Sequence, residues 1–368
     1  MEEIFMRTDL WGVFERLADD IESRLQPALE DHVSSAAEES LKEFFGELQQ
    51  FGRTDYLATM VADAGRRVSQ AWPNDYGDPT FTVVRRPAFR IEVIFWDQAF
   101  NPPHDHISCG AFLALHGHRL NRDFLFQERR TYSETLSTGE LTVGDFSYML
   151  EGDTHYIQPE MIHDMFWIDL PVTTVAVRCV NHPRPLADSP RSYLAGGLST
   201  VRPRFRENAT LNTLRQGLKT LTKMNRREPD LDLLTELARQ LPLGDYVYLV
   251  TDSAKLGRSA LERMVDAIPS ARLDAGGADV KERLQASIPD ISARHEVARA
   301  ISGLPVGPSR LALGFLWLGQ DARTAREVVS RRGLEPEVLL PESVDRASEM
   351  KPFLAEWVDG AAPERFQL

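Results

Sequence analysis

Cysteine is scarce in this 368-residue chain, which holds only Cys109 and Cys179. Two thiols cannot make the dense disulfide framework of a small secreted domain, and their number suits a reducing compartment. Basic charge is short as well. The 42 Lys and Arg stand against 55 Asp and Glu, a formal net charge of -13. That balance argues against the basic footprint of a nucleic-acid or anionic-membrane surface. No apolar run reaches the ~18 residues that span a bilayer. Met1-Glu2-Glu3 opens acidic, without the basic-apolar order of a secretion signal. A phosphate loop, a dinucleotide fingerprint and a fixed-period repeat are all missing. A soluble, cytoplasmic protein that binds neither nucleic acid nor membrane is expected.

What is present divides into three characters. Hydrophobic residues make up 42% and charged residues 26%, which fits a folded globular chain rather than a disordered one. Its length predicts two or three domains. Residues 1–75 hold sixteen acids against seven bases and form an acidic helical module: Leu10, Val13, Phe14 and Leu17, then Leu41, Phe44, Phe45 and Leu48, recur at helical spacing. Ser40 reads as a cap for the stretch that begins at Leu41. Residues 76–183 change to short apolar or alternating runs punctuated by Gly, Pro and Asp, the pattern of an all-β barrel. Residues 184–208 carry several prolines and read as a linker. Residues 209–368 return to helical period, in stripes such as Leu211, Leu214, Leu218 and Leu221, with Tyr246–Val250 as one strand-like interruption.

Six of the nine histidines lie between residues 104 and 163, inside the β region. His104-Asp105-His106 places two imidazoles at i and i+2, on one face of a strand. Further on, Gly152-Asp153 opens a turn, Pro159 marks a second, and His163 starts a new strand.

These two elements resemble the motifs of the cupin superfamily: a His-x-His pair, then Gly-Asp, an aliphatic residue, Pro and His. The resemblance covers about residues 80–183. It implies a double-stranded β-helix (jelly-roll) barrel, and hence an α+β chain with helices before the barrel and a mostly helical domain after it. It assigns His104, His106 and His163 as metal ligands. His155 is the rival to His163, which the Pro159 turn favours. Most cupins add a glutamate four or five residues after the pair. Gly110 and Ala111 stand there, so the ligand set is three neutral histidines, similar to the cysteine dioxygenase-like branch. Phe89–Trp96 and Phe112–Leu115 are similar to that branch's flanking strands. Its cysteine–tyrosine crosslink and its Ser, His, Tyr set are replaced by Ala111, Ala176, Arg178 and Val180, so the metal site transfers and cysteine as substrate does not.

Beyond the ligands, Arg178 interrupts an apolar strand and shares a face with Ala176 and Val180. A buried guanidinium needs an anion: either a substrate carboxylate or an internal acid such as Glu92 or Asp169. One of Arg85, Arg86 and Arg90 is a further candidate for substrate binding. His155 and Tyr156 are candidate pocket residues, whereas His116 and His118 read as turn residues and Cys109 as a buried structural thiol. The function expected is that of a mononuclear non-haem iron(II) oxygenase acting with O2 on a small anionic substrate, with Zn, Ni, Cu or Mn as other ions the imidazoles suit. A three-histidine dioxygenase that cleaves carbon–carbon bonds of an enol or phenol is the second expectation. The third is a non-catalytic metal- or ligand-sensing barrel whose helical domains bind a protein partner or a second copy.

Overall fold

The computed structural model describes residues 9–25, 32–70, 79–97, 100–106, 108–179, 190–201, 213–214, 216–217, 220, 231–253, 256–269, 277–302, 307–318 and 322–336. Three helices come first: α1 (Asp9–Arg24), α2 (His32–Gln49) and α3 (Arg53–Arg67). Leu10, Val13, Phe14, Leu17 and Ile21 form one stripe along α1, and all are buried. Ser40 caps nothing. Ala36, Ala37 and Leu41 carry the buried stripe of α2 straight through it.

Eleven strands follow among the described residues: β1 (Thr80–Arg85), β2 (Phe89–Trp96), β3 (Phe100–His104), β4 (Gly110–His116), β5 (Arg119–Ser133), β6 (Leu136–Met149), β7 (Thr154–Ile157), β8 (Ile162–Trp167), β9 (Val172–Cys179), β10 (Arg191–Leu194) and β11 (Leu198–Val201). One sheet runs β1-β2-β9-β4-β7. The other runs β10-β11-β6-β5-β8-β3 and closes where Ser192 of β10 pairs with His104 of β3. Within them the orders β2-β9-β4-β7 and β3-β8-β5-β6 are the two four-stranded sheets of a jelly roll. The chain is thus α+β, a cupin-type double-stranded β-helix with helices before and after it.

Period-two alternation sorts the strand residues between two cores. Ile94, Trp96, Phe112, Met165, Trp167 and Ala176 fill the lumen between the sheets. Ile91, Val93, Ala111, Leu113, Val175 and Val177 face outward and pack against α1, α2 and α3.

The structure departs from the sequence expectations in several places. β3 is an extra strand. Its Pro102 and Pro103 cannot donate to a ladder, and its register with β8 shifts between Asn101 and His104. The 184–208 stretch read as a linker contains the β10–β11 hairpin, which completes the second sheet. Tyr246–Val250 is helical, because its apolar residues belong to a helix-spaced set: α4 (Leu231–Gln240), α5 (Leu243–Asp252) and α6 (Arg258–Asp266) bury Tyr246, Val247, Leu249 and Val250 with Leu234 and Leu261. α7 (Gly277–Ser302) joins that core, which also takes Leu136, Leu194 and Leu198 from the barrel. α8 (Pro308–Trp317) and α9 (Ala322–Arg331) cover the outer face of β5 and β8 at Leu120, Phe166 and Ile168. Val180, Leu211, Leu218 and Leu221 lie outside the described residues.

The two cysteines are not free thiols. β4 and β9 are neighbours, Cys179 N–H donates to Cys109 C=O at 3.0 Å, and a disulfide joins the pair with Cα atoms 5.5 Å apart. Their number therefore no longer supports a reducing compartment. Among the described residues no helix is long and apolar enough to cross a membrane.

Candidate metal centre

The His-x-His element straddles the end of β3. His104 is the last strand residue, directly opposite His163 on β8, and His106 lies just beyond in irregular backbone. Asp105 turns the other way. Its carboxylate accepts the Arg191 N–H and the Tyr193 hydroxyl, the latter at 2.9 Å, which ties the element to β10. The second element begins with a tight turn, in which Gly152 adopts φ +92 against the Phe45 ring and Asp153 accepts the Leu150 N–H at 2.7 Å. β7 and the Pro159 turn then deliver His163 into the lumen.

His104, His106 and His163 come together, all buried, with one nitrogen from each within 4.8 Å of the others. Nε2 of His106 and Nε2 of His163 are 3.0 Å apart. Two nitrogens sharing one first-row ion at about 2.1 Å each stand roughly 3 Å from one another. Two of the three remaining nitrogens are turned to oxygen acceptors: His104 Nδ1 to the Pro102 carbonyl at 2.9 Å, and His163 Nδ1 to Asn121 Oδ1 at 3.0 Å. Protons on those Nδ1 atoms leave the Nε2 lone pairs to face the common point, the tautomer a metal requires. Burial, with the neighbouring imidazoles, also holds His163 well below the usual histidine range, so it stays neutral. The residues present fit a metal ion.

A fourth protein ligand is excluded at the position where a cupin glutamate is expected. Gly110 has φ +152, and a Cβ there would lie 1.9 Å from the Val177 carbonyl oxygen. Ala111 faces the outer core.

The luminal face of β5 supplies residues that motif reading missed. Asn121 bonds His163 and also donates to Asp123 Oδ1 at 2.9 Å, and Asp123 stands 4.0 Å from His155 Nε2. Burial raises the Asp123 carboxyl and lowers the His155 imidazole. His155 thus lies outside the triad but is linked to it through two side chains. Two residues before Asn121, Arg119 is fully buried. Its Cζ rests 4.5 Å over the Phe112 ring, and burial pushes it down to about 9. The signal was the alternation Arg119, Asn121, Asp123 in a strand whose polar face points inward.

Arg178 enters the lumen beside Ala176 as the alternation predicts, yet its charge is already used. Nε lies 2.9 Å from Glu92 Oε2, and Arg90 Nε donates to Glu92 Oε1 at 2.6 Å. Of the two partners weighed for Arg178, the internal acid is the one observed. Tyr156 is not in the pocket. It pairs with Ala111 on the outward register, is 40% exposed, and its phenol bonds Glu38 of α2. Arg85 donates to the Ser69 carbonyl, and Arg86 meets Glu15, Asp19 and Glu22 of α1. His116 bonds the Phe51 carbonyl, and His118 pairs with Asp169 at 2.7 Å.

A jelly-roll barrel with a buried three-histidine centre is therefore the class of site present. No protein-family model matches the sequence, and no curated protein matches it. Among solved structures, one of DMSP lyases aligns at 17% identity over 31% of this chain and 51% of its own, with a TM-score of 0.21. This chain thus spans about half the length of that lyase. A hydroquinone 1,2-dioxygenase from Sphingomonas sp. TTNP3, with 4-hydroxybenzoate bound, aligns at 11% over 30% of this chain and 70% of its own, with a TM-score of 0.23. A cupin 2 conserved barrel domain protein from Rhodopseudomonas palustris aligns at 17% over 32% and 72%, with a TM-score of 0.20. Likenesses this small carry no argument about activity. Strand order and the histidine geometry stand on their own.

Proposed function

We propose that the protein is a mononuclear metal-dependent cupin enzyme, with iron(II) held by His104, His106 and His163, that oxygenates a small anionic substrate. The observation that supports this most is the 3.0 Å approach of His106 Nε2 to His163 Nε2, with the outer nitrogen of His163 fixed by Asn121. Two imidazole nitrogens this close share either a proton or a metal ion, and a third buried imidazole nitrogen within 4.8 Å of both supports the metal. A metal ion bound there supplies Lewis acidity and, for iron, redox chemistry with O2. With three neutral ligands the protein adds no negative charge, which favours an anionic substrate.

The chain's own residues then have separate duties. Asn121 fixes the His163 ring. His155 and Asp123, both shifted towards their neutral forms, can hold a proton beside the centre. Trp96, Phe112, Met165 and Trp167 exclude water from the lumen. Enzyme is favoured over partner-binding sensor because the buried apolar residues of the described C-terminal helices pack on one another and on the barrel.

The test is metal analysis of the purified protein followed by oxygen uptake across thiols, small carboxylic acids and phenols. One iron per chain and turnover lost in His104→Ala and His163→Ala support the proposal. Wild-type protein that takes up no metal would sink it, and metal without turnover of any panel member would favour the sensor.

A further inference from the structure

The barrel interior holds a second set of polar groups, separate from the histidines, in which the unmatched positions are donors. Arg119 is 1% exposed. Its Nη1 donates to Thr174 Oγ1 at 3.2 Å, while Nε and Nη2 have no hydrogen-bond partner among the described residues. Trp167, its register partner on β8, is fully buried and stacked on Trp96 at 4.5 Å, and its Nε1–H likewise has no acceptor. Thr174 Oγ1 also accepts the Trp96 Nε1–H at 3.0 Å, so both of its lone pairs are engaged and its own proton is available.

Every open position in this group is a donor, and one bears a positive charge. Buried donors and buried charges are costly unless matched. Asp153, the acid whose charge reaches Arg119, bonds Leu150 N–H and Arg332 instead. A guanidinium fork is matched best by two oxygens of one carboxylate. Phe112 connects this group to the metal centre: its ring lies 4.5 Å from Arg119 Cζ, 5.6 Å from the His155 ring and 6.5 Å from the His163 ring.

Resting on the metal-enzyme proposal above, we infer that Arg119, with Thr174 and Trp167, receives the carboxylate end of the substrate. The substrate is then a small carboxylic acid that runs along Phe112 and presents a second donor group to the three histidines. Arg178, with its charge given to Glu92, has no part in that recognition.

The experiment uses the full-length, metal-loaded protein at constant chloride, with sodium propionate as probe and propionamide as its neutral counterpart. Affinity is read by calorimetry and thermal shift, alongside metal content. Propionate should bind and propionamide should not. Arg119→Gln and Arg119→Met should lose at least tenfold in propionate affinity while keeping one metal per chain. Arg119→Met should also unfold no lower than wild type without ligand, because it removes an uncompensated buried charge. Equal binding of propionate and propionamide, unchanged affinity in both variants, or a large thermal loss in ligand-free Arg119→Met would overturn the inference. Wild type without metal would overturn the enzyme proposal, whereas metal without Arg119-dependent propionate binding overturns this inference alone.

Discussion

Asn121 Oδ1 holds His163 Nδ1 at 3.0 Å, and through this one bond a residue on β5 orients an imidazole on β8. Removing such an outer partner commonly lowers metal affinity 10–100-fold. Asn121→Ala is expected to weaken metal binding by about that factor with the fold retained. Competition against a chelator of known affinity measures it; an unchanged constant would show that the bond orients nothing.

Glu92 is fully buried between Arg90 and Arg178. Breaking a buried ion pair from one side costs about 3–5 kcal/mol, whereas replacing both partners by apolar groups costs far less. Glu92→Gln should therefore destabilise the protein by roughly that amount, and Glu92→Leu combined with Arg178→Met should recover much of it. Urea unfolding of the single and double variants decides. If Arg178→Met alone leaves stability intact, the pair is not structural.

The disulfide closes a loop with a sequence separation of 70. Bridges of this kind contribute about 2–4 kcal/mol. The Cys109→Ser, Cys179→Ser double variant should unfold at correspondingly lower denaturant, and reductant should shift the wild type but not the variant. Mass analysis without reductant checks the bridge itself.

His118 and Asp169 give a pH signature away from the metal. The carboxylate beside His118 raises the imidazole above its ordinary value, while the imidazole bonded to Asp169 holds that carboxyl below its own, against the cost of burial. The His118 contribution is present below about pH 6.5 and fades as pH rises through the raised value; the Asp169 contribution is present above about pH 4 and fades on acidification. The pair is therefore strongest between those limits. His118 is 39% exposed, so the effect is ~1 kcal/mol or less. The thermal advantage of wild type over His118→Gln should be largest near pH 5.5 and shrink by pH 9. A pH-independent difference would refute the pairing.

The parts of the site that follow from local pattern were legible before the structure. His104, His106 and His163 converge as their motifs imply, and most strands fall where short apolar runs alternate. What depends on pairing between distant strands was not. β3 hides behind two prolines, and β10–β11 hides in a proline-marked stretch whose partners on β6 and β3 lie far upstream in the sequence. Cys109 and Cys179 meet only because β4 and β9 are adjacent. Arg119 and Asn121 look like ordinary polar strand residues until the register turns that face inward. Tyr156 failed for the converse reason: its position beside His155 suggested the pocket, but one step along a strand reverses the direction.

Ser192 on β10 pairs with the backbone of His104, and apolar side chains of helices from both ends of the sequence complete the barrel's outer faces. The barrel is thus not a portable cassette. A fragment cut at residue 183 would lose the strand that braces His104, and would expose the surfaces that α4 to α9 now cover. Any graft of this metal centre into another protein has to carry the flanking helices with it.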